Sequence, residues 1–288
     1  MNPLDLVELP GLMQRTQGRP EIGIALIDGP VAVSHPDLSR TAVREIAGKL
    51  EPTCSRSDGI ACAHGTFVAG ILAARRGSVA PAICPECTLL LRPIFSEVSA
   101  ASGRMPSATP QDLASAIIDS VDAGARVINL SAALIQSSSK SDLEIQNALN
   151  YAAHRGVIAV AAAGNQAMVG SSAVTRHWWV IPVAACDHRG RPVGDSNLGC
   201  SIGRRGVSAP GVDVTSLGTD GKPYTLGGTS AAAPFVTGAI ALLWSEYPQA
   251  GAARIKAAVV QSGARMRKSI APPVLKAWAA YQAIQAAP

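Results

Sequence analysis

The sequence predicts an α/β protein: a mainly parallel central sheet covered on both faces by helices, in three α/β/α layers. Runs rich in β-branched residues, such as IGIALI (22–27) and GVIAVAAAG (156–164), are apolar without alternation, which suits strands buried on both faces. These runs alternate with segments of helical pattern, and that order implies right-handed crossovers in a doubly wound sheet. The composition agrees, with 48% hydrophobic but only 4% aromatic residues, so abundant small side chains can bring helices close to the sheet.

Residues 1–20 carry acids early and have no long apolar run, so they read as an N-terminal extension rather than a signal peptide. Residues 21–288 read as one domain. Strands are expected at 22–27, 88–95 (TLLLRPIF), 125–131 (ARVINLS), 156–164 and 178–185 (WWVIPVAA). A helix is expected over 109–125, opened by Thr-Pro and stopped near Gly124. Another is expected over 141–156, where Ser141 and Glu144 have capping-box spacing and Gly156 ends the run. HGTFVAGILAA predicts a helix opening at His64. Residues 229–248 predict a long buried helix whose Pro234 sits near the first turn, where amides lack helical partners.

The net charge is +5 and the pI near 9.0, but the basic residues are scattered and lack aromatic platforms, which argues against nucleic-acid binding. No apolar run approaches the length of a membrane span, so no membrane partner is expected. Six cysteines fall in an order that suggests local pairs, 54/62, 84/87 and 186/200. Disulfides and free thiols both remain open. The CPEC run lacks a second CxxC or a nearby His pair, so zinc is disfavoured. Disulfides would imply an oxidising compartment, whereas the N-terminal residues suggest none, and localisation stays open between the cytoplasm and export by another route.

Three polar residues occupy special places. Asp28 ends the first strand, His64 opens a helix, and Ser230 opens another. Open α/β sheets collect function outside the carboxyl ends of their strands. A serine hydroxyl needs a base, imidazole can accept and return a proton near neutral pH, and a buried carboxylate holds the imidazole in the right tautomer. Taken singly, each residue reads as a turn or cap. Their extended motifs together do not.

HGTFVAGILAA resembles the histidine motif of the subtilisin-like serine proteases, and GGTSAAAPFVTGAIALL their serine motif. INLS and VAAAGN resemble the substrate-strand and oxyanion motifs, and SHPDL the sequence after the catalytic aspartate. The order Asp, His, Ser is that of subtilisin. The resemblance covers roughly residues 20–285. It implies a subtilisin-like catalytic domain over 21–288 that acts on a peptide or protein substrate without a cofactor. Ser230 would be the nucleophile, His64 the general base and acid, and Asp28 its orienting partner. Asn165 and the backbone amide of Ser230 would bind the oxyanion. Ser131, Ala132 and Ala133 would pair with the substrate, with Ala162 and Gly164 walling the first specificity pocket. Ala133 stands where glycine is common in the family. A second substrate strand is expected near Ser96–Ala108, though that stretch matches poorly.

The departures are informative. Asp28-Gly29-Pro30 replaces the familiar Asp-Thr-Gly or Asp-Ser-Gly, and DGPV is similar to the wording of proteases that mature cyanobactin-type peptides. Ala231 replaces the usual methionine after the serine, which predicts resistance to peroxide. AARRGSVAP runs on where relatives insert a calcium loop, so no metal is expected there. With only a short segment before the first strand, no inhibitory pro-domain is expected, and the ordinary spacings favour hydrolysis over transpeptidation. The rival readings are a catalytically silent peptide-binding module, an α/β-hydrolase esterase and a CxxC redox protein. The esterase would need G-x-S-x-G and the order Ser, acid, His.

Overall fold

A computed structural model describes residues 2–56, 58–97, 107–131, 139–263 and 269–286 of the 288-residue chain. Its centre is a seven-stranded sheet, parallel throughout, in the order β2-β3-β1-β4-β5-β6-β7. The strands are β1 (Gly23–Ile27), β2 (Ala42–Glu45), β3 (Thr88–Leu91), β4 (Val127–Leu130), β5 (Ile158–Ala162), β6 (Ile181–Cys186) and β7 (Val207–Pro210). A separate antiparallel hairpin joins β8 (Val214–Leu217) to β9 (Pro223–Leu226). The helices are α1 (Pro3–Leu6), α2 (Leu9–Arg15), α3 (Ile60–Ala73), α4 (Pro110–Asp122), α5 (Ser139–His154), α6 (Cys200–Arg205), α7 (Thr229–Glu246), α8 (Ala252–Gln261) and α9 (Ala277–Ala286).

The continuous apolar strands serve two cores. On β1, Ile24 and Leu26 face one layer while Ala25 and Ile27 face the other, as the two-residue period requires. The first layer contains α3 and α7, together with buried Leu9 and Leu12 of α2. The second contains α4 and α5. This is the three-layer α/β/α fold that the sequence predicts. Its winding reverses around β1, which lies between β3 and β4, so the carboxyl end of β1 opens at the switch point of the sheet.

Each expected strand forms, but trimmed. The second run, 88–95, stops at Leu91: the Arg92 amide still donates to Leu26 O at 3.1 Å, but Pro93 has no amide for a ladder. Edge strand β2 is exposed and charged, so its sequence carries no apolar signal. The helix expected from Ser141 begins at Ser139, so Ser141 lies inside it rather than capping it. A capping box occurs on α4 instead, between Thr109 and Asp112. Helix α3 begins a turn before His64, at Ile60. Pro234 is the sixth residue of α7, beyond the first turn. It therefore removes a real helical bond, the one an amide at this position would give to the Ser230 carbonyl.

The N-terminal helices pack on the main body, α2 lying against α7 and α9. Arg76, just past α3, fastens them. Its guanidinium donates to the carbonyl oxygens of Met13, Thr16 (2.8 Å) and Ile83 (3.1 Å). A side-chain cation thus sits among three backbone carbonyls just past α3. No helix among the described residues is long and apolar enough to cross a membrane.

Candidate active site

Asp28 is the first residue past β1 and is fully buried. Its Oδ1 accepts from the Gly29 amide at 2.7 Å, while Oδ2 has no partner. The Gly29-Pro30 sequence explains the orphan oxygen: Gly29 offers no hydroxyl, and Pro30 offers no amide. It also explains why no hydroxyl residue stands there. A Cβ on Gly29 would overlap the Ala61 carbonyl of α3, and a Cβ on Gly65 would overlap the carbonyls of Gly29 and Pro30. The Asp28 loop and α3 thus meet backbone to backbone, with a glycine on each side.

That close approach delivers His64. Its Nδ1 lies 2.6 Å from Asp28 Oδ1, and 15% of its side chain remains accessible. Burial disfavours the charged imidazole, but the Asp28 charge and hydrogen bond outweigh it, so His64 titrates above the ordinary histidine value. Nδ1 facing a carboxylate carries the proton, which leaves the Nε2 lone pair free.

The opposite wall is made of side-chain hydrogen bonds. Past β5 the chain turns at Gly164, whose φ of +103° suits glycine. The Gly164 amide donates to Thr229 Oγ1 at 3.1 Å. Thr229 Oγ1 in turn donates to Asn165 Oδ1 at 3.0 Å, and the Thr229 amide donates to the same oxygen at 2.9 Å. An amide can only donate, so the oxygen end of the Asn165 carboxamide must face Thr229. Asn165 Nδ2 is then turned the other way. Gly228 leaves room for this, since a Cβ there would lie 2.8 Å from that nitrogen. Ser230 follows as the second residue of α7, in the first turn, where amides have no helical acceptor and the helix dipole favours an anion.

Helices α3 and α7 pack against each other, which puts the Asp28–His64 pair and the Asn165–Ser230 group on neighbouring elements. A model of the subtilase family (Peptidase_S8) matches residues 20–273. The chain belongs to the subtilase family. It is 34% identical over 236 residues to a thermophilic serine proteinase of Bacillus sp. (strain AK1), covering 80% of this chain and 54% of that protein. It therefore spans only about half the length of that relative. It is 30% identical over 244 residues to subtilisin Savinase of Lederbergia lenta, covering 84% of this chain and 83% of that one. Among solved structures, the protease domain of PatA superposes with a TM-score of 0.84 at 31% identity, over 93% of this chain and 96% of that one. The prenylagaramide maturation protease PagA superposes at 0.82 with 26% identity, over 96% and 98%. The neighbours thus match the branch that DGPV suggested.

Of the residues expected to touch substrate, Ser131 follows β4 and accepts from Asn129 Nδ2 at 2.9 Å. Ala162 ends β5 and is buried, and Gly164 is the turn described above. Ala132 and Ala133 lie outside the described residues, as do residues 98–106 of the second expected strand. Sequence reasoning missed Thr229, which reads only as a cap beside Ser230. It also missed Thr237 of α7, which donates to buried Asn129 at 2.8 Å and so ties the serine helix to Ser131.

Of the three suggested cysteine pairs, the structure forms one, Cys54–Cys62, with Cα atoms 5.6 Å apart. Cys84 and Cys87 are free thiols in a turn closed by the Cys87 amide donating to Cys84 O at 3.1 Å, and burial pushes Cys84 well up. Cys186 points into the core at the end of β6, its thiol pushed up to about 12 by burial, while Cys200 is exposed at the start of α6. Glu97 approaches the two bridged sulfurs closely enough for a metal, but the sulfurs are bonded to each other.

Proposed function

We propose that the chain is a serine endopeptidase that hydrolyses peptide bonds through Asp28, His64 and Ser230. The observation that carries this reading is the 2.6 Å contact between His64 Nδ1 and buried Asp28, which leaves Nε2 as a base on the helix packed against the Ser230 helix. In this reading Ser230 Oγ attacks the scissile carbonyl carbon and gives its proton to His64 Nε2. The imidazolium is stabilised by Asp28, which stays ionised. The tetrahedral oxyanion accepts from Asn165 Nδ2 and the Ser230 amide. Collapse breaks the C–N bond, His64 protonates the leaving amine, and water then hydrolyses the acyl-Ser230 ester by the same route. Ser131, Ala132, Ala133, Ala162 and Gly164 are assigned to the substrate backbone and the first pocket.

The substrate we assign is a precursor peptide. The support is the 31% identity to the protease domain of PatA and the likeness to PagA, a maturation protease. The test is labelling by a fluorophosphonate, followed by cleavage profiling on a diverse peptide library. Labelling at Ser230 that disappears in Ser230→Ala and in His64→Ala is expected. A protein that binds peptides yet shows no labelling between pH 6 and 9 would be the silent binding module instead.

A further inference from the structure

We propose that the Cys54–Cys62 bridge, with Glu97, is a positioning device for the Asp28–His64 pair, so that the peptidase works fully only with this bridge oxidised. The inference rests on the peptidase reading above and adds a redox dependence to it.

The bridge closes a ring through the acid–base pair. Three residues after Asp28, the Val31 amide donates to Pro52 O at 3.0 Å, and the Cys54 amide donates back to Val31 O at 3.2 Å. Cys54 is bonded to Cys62, the third residue of α3 and fully buried. His64 lies two residues further on and returns to Asp28. The ring therefore runs from Asp28 through Val31, Cys54 and Cys62 to His64, and its one covalent cross-link is the sulfur bond.

The first turn of α3 needs this link. Its N-cap is Gly59, which provides no side-chain cap, so the turn that carries Cys62 begins without the usual hydrogen bond. The segment before it is gripped at one further place. The Glu97 carboxylate accepts from the Ser55 amide (2.9 Å), the Ser55 hydroxyl and the Arg56 amide (3.2 Å). Glu97 follows β3 and lies at the start of the stretch, Ser96–Ala108, expected to pair with substrate. The same short segment thus joins the chain three residues past the acid, the helix two residues before the base, and the start of the expected substrate strand.

The chemistry is ordinary thiol–disulfide exchange. A small-molecule thiolate attacks Cys54 Sγ, the more accessible sulfur, and Cys62 leaves as a thiolate that takes up a proton. A second thiol attacks the mixed disulfide, releasing the oxidised small-molecule disulfide and the Cys54 thiol. Two electrons pass from two thiols to the bridge. Cys84, Cys87 and Cys186 are buried and already reduced, so reduction acts on this one bond.

The test follows the full chain before and after treatment with dithiothreitol, beside a Cys54→Ser/Cys62→Ser double variant. We expect kcat to fall at least about tenfold on reduction, because small misplacements of a base are costly. KM should change less, and reoxidation should restore activity. The His64 imidazole, followed by NMR, should titrate lower on reduction, toward the ordinary value of about 6.5, as its contact with Asp28 loosens. The double variant should match the reduced protein and ignore dithiothreitol. Unchanged kcat and an unchanged His64 titration would overturn the proposal, as would a loss that tracks global unfolding in near-ultraviolet circular dichroism. If the oxidised protein neither labels nor cleaves, the peptidase reading fails, while the NMR titration still decides the positioning role.

Discussion

At the Asp28–His64 side of the cleft, backbone meets backbone, with Gly29 under Ala61 and Gly65 under Pro30. At the Asn165–Ser230 side, the Thr229 amide (2.9 Å) and hydroxyl (3.0 Å) hold the Asn165 carboxamide, and the Gly164 amide donates to that hydroxyl at 3.1 Å. The first side is steric and tolerates no added atom. The second is a hydrogen-bond network and can be weakened by degrees. An acid–base pair must be held at one short distance, and close packing does that. The oxyanion donor we propose, Asn165 Nδ2, needs mainly a direction, which a fixed acceptor for its Oδ1 supplies.

The sharpest way to break this contrast is Gly29→Thr, which restores the usual family residue. We expect overpacking to cost about 3 kcal/mol or more and to abolish fluorophosphonate labelling, read by thermal unfolding and gel fluorescence. A stable, labelled Gly29→Thr protein would mean that α3 can retreat and that the steric side is softer than its geometry. On the other side, Asn165→Ala should leave Tm nearly unchanged and lower kcat about 100- to 1000-fold, the loss known for this asparagine in subtilisin. Thr229→Val removes the acceptor for Gly164 and one donor to Asn165 but spares the Thr229 amide. A fall in kcat of about fivefold is expected, since of the two hydrogen bonds lost the one made directly to Asn165 is worth roughly 1 kcal/mol.

Arg76→Met lies away from both sides and serves as the control. It should lower stability by about 2 kcal/mol in thermal unfolding, because hydrogen bonds from a charged donor are lost, and leave kcat unchanged. The smallest effect separates the sides by pH. In the proposed mechanism neutral His64 is the active form, so kcat/KM should fall on the acid side with an apparent pKa above the ordinary histidine value. The stability from the His64–Asp28 pair runs the opposite way. It is fully present below the unfolded-state value of about 6.5 and is lost as pH rises through the raised folded value. None of Gly164, Asn165, Thr229 and Ser230 has a side chain that titrates near neutral pH, so the rate remaining in Asn165→Ala should keep the same acid limb.

The strands were legible because their apolar runs are continuous, and the Asp28–His64 contact was legible because both residues sit in local motifs. Cap positions were less so: a helix can start a turn early, as α3 does, without changing which residues look apolar. Edge strand β2 escaped notice because solvent exposure removes the only signal a short strand has. Gly29 looked like a simple strand stop, since its true neighbour, Ala61, is distant in sequence and contributes only a carbonyl. Thr229 was hidden for a related reason. A threonine before an apolar helix reads as a cap whether or not its hydroxyl also serves a loop 65 residues earlier. The cysteine order identified 54/62 but could not say that 84/87 remain thiols, because pairing depends on rotamers that spacing does not encode.

Arg76 holds Met13, Thr16 and Ile83 together with a charge that is covalently part of the chain. A fastening made with a dissolved ion weakens whenever the ion is scarce, and a chelator can strip it out. This one has no dissociation constant. Its strength should stay the same in dilute buffer, in a sequestering medium or in the cell, and only a mutation can remove it.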